Sequence, residues 1–321
     1  MSLSLGSMTA YVEQNASELI KEAVLKGRTV DLITVQGGIK SAATINRIST
    51  SLTGQAGACG WNPAGTTTLD QRTITVCDVK INEAICLNDL EAYYTQVAMN
   101  PGSYNTEIPF EQIFAENKRD QIMAMIEDLV WRGNTSTGSG NLALCDGFVR
   151  LFDAGVTASS GRYITYSTAA LAGAGSGGAY SATSSNIVEL IDELARLVNT
   201  NVIDTPDLHV FLSYSDYRTY AKLLRDANLF AYTGAENQGQ EFSQMHPGTN
   251  IRVIAVRGLN TANRFLLAEA SNLYIGTDLL SDAEDFKVFY SQDFDEVRFL
   301  AKFKLGVQVA FIENVVWARG Y

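Results

Sequence analysis

Near the C-terminus apolar residues recur at every second position. Val297, Phe299, Ala301, Phe303, Leu305, Val307, Val309 and Phe311 alternate with Arg298, Lys302, Lys304, Gly306, Gln308 and Ala310, Leu300 being the exception. A period of two predicts a strand with one apolar and one polar face, and a run of this length reaches about 50 Å at roughly 3.3 Å per residue. Earlier segments carry other periods. Val12, Ala16, Leu19, Ala23 and Val24 fall at helical spacing before Gly27, giving a short amphipathic helix after an unstructured start over 1–8. Residues 41–50 and 71–86 read as two strands around 54–68, where four glycines and the Asn62-Pro63 step exclude a regular element. The expected product is a long hairpin. In its second strand Ile74, Val76, Asp78, Lys80 and Asn82 share one side, and Thr73, Thr75, Cys77, Val79 and Ile81 the other. Neither side is clearly apolar, and isolated hairpins are marginal in water, so this one is expected to lean on another surface.

Phe110, Ile113, Phe114, Ile122, Met125, Ile126 and Leu129 form one stripe between Pro109 and Gly133. They predict a helix of about 24 residues, roughly 36 Å long, against a usual 11–12 residues. Small residues dominate 133–140 and 169–185, with one short helix expected within 141–155. Ile187, Leu190, Ile191, Leu194, Leu197 and Val198 mark a strongly amphipathic helix with Ser185 as its expected cap. Residues 208–213 read as a buried strand, 213–228 as a helix capped at Ser213 or Ser215, and 251–256, 264–276 and 286–291 as further strands. No regular β-α-β rhythm appears, so the class is α+β. The long helix and long strand predict a flat, elongated domain.

The formal net charge of −11 over 321 residues repels nucleic acid on average, which excludes a protein that grips DNA by charge. No C-x-x-C pair occurs among Cys59, Cys77, Cys86 and Cys145, so buried, reduced thiols are expected. The first residues lack a basic start and apolar core, so no signal peptide is read there, and no apolar run approaches the roughly 18 residues of a membrane span.

Candidate chemistry is sparse, and no cofactor and no metal site is expected. The string GAGSGG, residues 173–178, formally matches a dinucleotide-binding pattern, but it lies in a Gly/Ala/Ser tract without the required strand before and helix after. His209 sits in a strand and His246 in a turn, neither near a nucleophile in a recognisable motif. Seven carboxylates, Asp278, Asp282, Glu284, Asp285, Asp293, Asp295 and Glu296, crowd one segment without calcium-loop spacing. They read as a solvated turn and strand edge, or as salt-bridge partners for a neighbouring subunit.

In order, the pieces are an amphipathic arm, a glycine-tipped hairpin, a long helix, a mixed domain and a long closing strand. This order resembles the HK97-fold major capsid protein of tailed bacteriophages. The strings CDGFVRLFDAG, HVFLSYSDYRTYAKLLRDAN, IRVIAVRGLN, FLLAEASNLYIGTDL and VRFLAKFKLGVQVAF carry the likeness, which covers most of residues 37–316. The resemblance implies an N-terminal arm over 1–36 and an extended loop over 37–86 that lies across a neighbour. It implies a peripheral domain over 87–150 and 283–313, an axial domain over 151–282 and a C-terminal tail over 314–321. It further implies a non-enzymatic protein forming pentamers and hexamers of an icosahedral head around double-stranded DNA, without sequence-specific binding. Gly54, Gly57, Trp61, Asn62 and Pro63 would contact the neighbour, with the seven carboxylates as inter-subunit salt-bridge candidates. Portal and decoration proteins would be partners, with a separate scaffolding protein or none, and the virion, after the host cytoplasm, would be the location. The loop over 54–68 contains no lysine, the nearest being Lys40 and Lys80, which argues against the lysine cross-link of some family members. Alternatives are an encapsulin-like compartment shell, a hydrolase or nucleotide-binding enzyme built on residues 150–280, and a phage tube or decoration protein.

Overall fold

The alternating run becomes the longest strand of a computed structural model that describes residues 28–57, 64–86, 110–156, 162–166, 187–227, 242–260, 263–278, 286–294 and 296–320. Its length has a topological reason. This strand, β12 (Glu296–Val309), is the backbone of a five-stranded sheet. Along one edge it pairs antiparallel with all of β4 (Cys77–Cys86). Along the other it serves two short strands in tandem: β11 (Phe286–Ser291) beside its first half and β10 (Leu273–Thr277) beside its second. β1 (Thr34–Gln36) adds in parallel to β10.

The odd positions of β12 are buried, as the alternation requires, and the apolar side is covered by α2 (Phe110–Arg132) through Ile122, Ile126, Leu129 and Val130. Lys118 of α2 pairs with Glu83 of β4 on that same side. Before α2 the described chain holds α1 (Arg28–Leu32), β1, β2 (Ala42–Ser51) and β3 (Thr66–Thr75); after it comes α3 (Phe148–Gly155), which adds Phe148 and Phe152 to the core.

A second, six-stranded sheet has the order β5 (Tyr163–Tyr166), β13 (Val316–Gly320), β9 (Arg264–Glu269), β6 (Leu208–Leu212), β8 (Arg252–Ala255), β7 (Ser243–Met245). Its central strands carry apolar residues on both faces because both faces are buried. Leu208, Val210, Leu212, Phe265, Leu267, Val316 and Ala318 turn toward α4 (Ile187–Arg196) and α5 (Tyr214–Asp226). Phe211, Leu266, Ala268 and Trp317 turn the other way and join the core under β12. The period of two thus divides one sheet between two cores. Ser213 is the cap of α5: its hydroxyl accepts from the Asp216 amide at 3.1 Å and donates to the Asp216 carboxylate at 2.7 Å.

Four expectations need correction. Within the expected tail over 314–321, Val316–Gly320 form a strand, β13, that lies between β5 and β9 inside the second sheet. β10 belongs to the β12 sheet, so the sheet boundary falls near residue 272 instead of 282. The run 71–86 is two strands, and only β3 pairs with β2 as a hairpin. Cys77 and Cys145 form a disulfide, with Cα atoms 5.9 Å apart, inside the roughly 4.4–6.8 Å such bridges need. The fold brings the first residue of β4 against the segment after α2, which sequence spacing does not reveal. Cys86 is exposed, not buried, and Cys59 lies outside the described residues.

The β3–β4 corner crowds β12 closely. A Cβ on Gly306 would stand 2.3 Å from the Thr75 carbonyl oxygen. Gly306→Ala is therefore expected to destabilise the chain by about 1–3 kcal/mol, seen as a lower thermal unfolding midpoint. An unchanged midpoint would mean that the corner retreats freely.

Candidate assembly surface

β2 and β3 form a two-stranded ribbon of their own, in register from Ala42 with Thr75 to Ser51 with Thr66. Cross-strand pairs alternate faces. One face carries Ala43 with Ile74, Ile45 with Arg72, and Arg47 with Asp70. The other carries Thr44 with Thr73, Asn46 with Gln71, Ile48 with Leu69, and Thr50 with Thr67.

The root of the ribbon is fastened. Ile39, Ile45, Ile74 and Ala310 form a small cluster there. Arg47 pairs with Asp70 at 3.1 Å and Glu313 at 3.2 Å, donates to the Ala310 carbonyl at 3.2 Å and lies over the Phe311 ring. Gln308 donates to the Thr73 carbonyl at 2.7 Å. Beyond this root nothing covers the ribbon among the described residues. Ile48, Leu52 and Leu69 are 63%, 87% and 78% exposed, Ile48 and Leu69 as a directly opposed pair. Added Cβ atoms at Gly54 and Gly57 would meet only open space. Trp61, Asn62 and Pro63 lie outside the described residues.

The acidic candidates do not act as one group. Asp278 sits 3.5 Å from Lys304, and Glu296 sits 3.6 Å from Arg298 within its own strand. Asp293 is exposed in the turn between β11 and β12. Asp282, Glu284, Asp285 and Asp295 lie outside the described residues, as does the glycine string 173–178.

A second attachment point is the segment arriving from the N-terminal side. Glu127, buried in α2, accepts from the Thr29 amide at 2.7 Å and from the Thr29 hydroxyl. Thr29 in turn accepts from the Trp131 indole N–H at 2.8 Å. No pattern in the sequence points to this latch, because a lone Glu on a long helix reads as surface. Burial holds the Glu127 carboxyl above its ordinary value, against the lowering effect of the two Thr29 hydrogen bonds. A raised folded-state value means that the folded chain keeps a proton the unfolded chain gives up. The resulting stabilisation is complete below about pH 4.5 and is lost as pH rises through the raised value. Glu127→Gln cannot ionise, so it is expected to flatten the fall of the unfolding midpoint between pH 4.5 and neutrality relative to the unchanged chain. Parallel curves would remove Glu127 as the cause.

The two histidines are structural. His246 is buried with Nδ1 2.8 Å from the Tyr220 hydroxyl and Nε2 2.7 Å from Asp192, so its ring ties α5 to α4. His209 Nδ1 lies 2.6 Å from the Asp207 carbonyl oxygen, and burial lowers its pKa.

No protein-family model and no curated protein matches the sequence. Solved structures do match. A chain of the satellite phage P4 procapsid, which includes the size determination protein Sid, superposes with a TM-score of 0.58 at 14% identity over 94% of this chain and 89% of that one. The capsid of an empty GTA particle gives 0.55 at 11% identity, over 93% and 89%. The capsid of Myoviridae phage XM1 gives 0.54 at 13%, over 90% of each chain. This chain has the α+β fold of HK97-like phage capsid subunits.

Proposed function

We propose that the chain is a major capsid protein that assembles into pentamers and hexamers of an icosahedral phage head around double-stranded DNA. The observation that carries this reading is the end-to-end likeness to capsid chains, over 90–94% of this chain and about as much of theirs. A domain shared piecemeal with an enzyme has no reason to extend through the ribbon, the long helix and the closing strands.

The ribbon supplies the physical reason for assembly. Its root is anchored to its own subunit, while Ile48, Leu52 and Leu69 stay in water unless another copy covers them. Many modest contacts repeated around a closed shell hold it firmly. The tip residues Gly54, Gly57, Trp61, Asn62 and Pro63 would reach the neighbour. Asp293 and the carboxylates at 282, 284, 285 and 295 remain candidates for inter-subunit ion pairs, whereas Asp278 and Glu296 already have partners in the chain. The net charge of −11 repels packaged phosphates, so the genome is confined without being gripped. A portal, a separate scaffolding protein and decoration proteins would be the accessory partners. Subunits would wait in the host cytoplasm and end in the virion.

Electron microscopy and size-exclusion chromatography of the purified full chain test the proposal. Megadalton shells, or discrete pentamers and hexamers, are expected. A monomer or dimer under all conditions would refute it, and small shells holding an enzyme would favour a compartment protein instead.

A further inference from the structure

Between β3 and β4 the chain makes a one-residue break at Val76, whose amide donates to the Ser41 carbonyl at 3.0 Å. On one side of the break the chain belongs to the projecting ribbon, and on the other to the β12 sheet. Cys77 is the first residue past this corner. Cys145, 68 positions later, follows α2 and sits buried in the main core. Their Cα separation of 5.9 Å suits a bridge without backbone movement.

The same site also accommodates two free thiols. The Leu305 carbonyl oxygen, opposite Cys77 in the β4–β12 register, lies 2.9 Å from Cys77 Sγ and 3.7 Å from Cys145 Sγ. In the reduced state a thiol S–H can donate to that oxygen; in the bridged state no S–H remains. Cys77 is half-buried while Cys145 is 3% exposed, so reagents from solvent meet Cys77 first.

We propose that Cys77 and Cys145 form a redox staple at the root of the ribbon, open as two thiols in the reducing cell and closed in the released particle. This rests on the capsid reading for its two settings. The oxidant is a low-molecular-weight disulfide such as oxidised glutathione. The Cys77 thiolate attacks one sulfur of that disulfide, forms a mixed disulfide and releases one glutathione thiolate. The Cys145 thiolate then attacks Cys77 Sγ and displaces the second glutathione. In sum, two protein thiols lose two protons and two electrons, and one oxidised glutathione becomes two reduced molecules. The closed staple ties the first residue of β4, from which the ribbon's corner departs, to the segment behind α2, so the base on which the ribbon stands is held covalently. A bridge enclosing a loop this long acts on the unfolded chain as well.

The test uses the full chain, alkylated with N-ethylmaleimide in denaturant at cell lysis so that buried thiols are also reached, and again after purified protein has been held with oxidised glutathione. Peptide mass spectrometry reads both cysteines. Alkylation of both is expected at lysis, and a Cys77–Cys145 linked peptide after oxidation. The oxidised protein is expected to unfold on the order of 5–10 °C higher than the reduced one, with slower proteolysis of the ribbon. Cys77→Ser keeps a donor for the Leu305 carbonyl and is expected to show no redox dependence of either readout. A bridge already complete at lysis overturns the switch. Thiols that stay open under oxidised glutathione, or a bridge that moves neither midpoint nor proteolysis, overturn the staple. Particle formation, scored separately by electron microscopy, reports on the capsid reading alone.

Discussion

Trp131→Ala is expected to destabilise the subunit by about 3–5 kcal/mol, at the top of the range for a buried truncation. Trp131 is fully buried at the end of α2. Its ring centroid lies 5.4 Å from Phe148 of α3 and 5.4 Å from Phe211 of β6, so one side chain joins the long helix to the second sheet. The backbone at Gly258 presses on it so closely that a Cβ there would stand 2.3 Å from the indole ring. Alanine leaves a cavity that helix, sheet and glycine cannot all close, and it removes the donor to Thr29. In a chain of this size the loss corresponds to a midpoint lower by on the order of 5–10 °C in thermal unfolding. Trp131→Phe keeps most of the volume but loses the N–H and part of the bicyclic ring, so a smaller cost of about 1–2 kcal/mol is expected from it. If alanine and phenylalanine cost the same, the hydrogen bond matters and the packing argument is wrong; if neither lowers the midpoint, Trp131 does not join the two parts.

The long elements were readable because burial on one face imposes one period. β12 and the helices α2, α4 and α5 appear where apolar spacing puts them. The hairpin's second strand was harder to read for a definite reason. Ile74 and Val79 are both buried although they stand on opposite sides of an unbroken strand. The break at Val76 shifts parity by one, so the side that buries Ile74 before it is not the side that buries Val79 after it. A period taken across the break averages the two signals. β13 was missed because five residues, Val316–Gly320, are too short to show alternation, and what makes them a strand is a place between β5 and β9, which only the folded sheet supplies. The Cys77–Cys145 pair and the Glu127–Thr29 latch depend on long-range approach in the same way. Of the candidate contact surface, the glycine-tipped ribbon was legible from turn residues between two strands, while the exposed Ile48–Leu69 pair needed the register.

Replacing Ile48, Leu52 and Leu69 together by serine is expected to abolish particle formation at ordinary concentrations while leaving the subunit folded. All three are exposed in the subunit, so their loss changes its unfolding midpoint little, within about 0.5 kcal/mol per site. In an assembled shell they would be covered. Burying an apolar side chain of this size is worth about 1.5–3 kcal/mol, hence roughly 5–9 kcal/mol for the three as an upper bound. Ordering the ribbon against a neighbour consumes part of that. A net loss near 4 kcal/mol per subunit raises the threshold concentration for assembly about a thousandfold. Light scattering across a dilution series measures the threshold, and circular dichroism checks the fold. A paired exchange on the opposite face of the ribbon, Ser49→Ala with Thr68→Ala, removes only one methyl group of apolar area and is expected to move the threshold by less than about tenfold. Equal thresholds for the triple variant and the unchanged chain would mean that the ribbon's apolar pair meets no partner, and the physical argument for assembly through it would fail even if shells formed by other contacts.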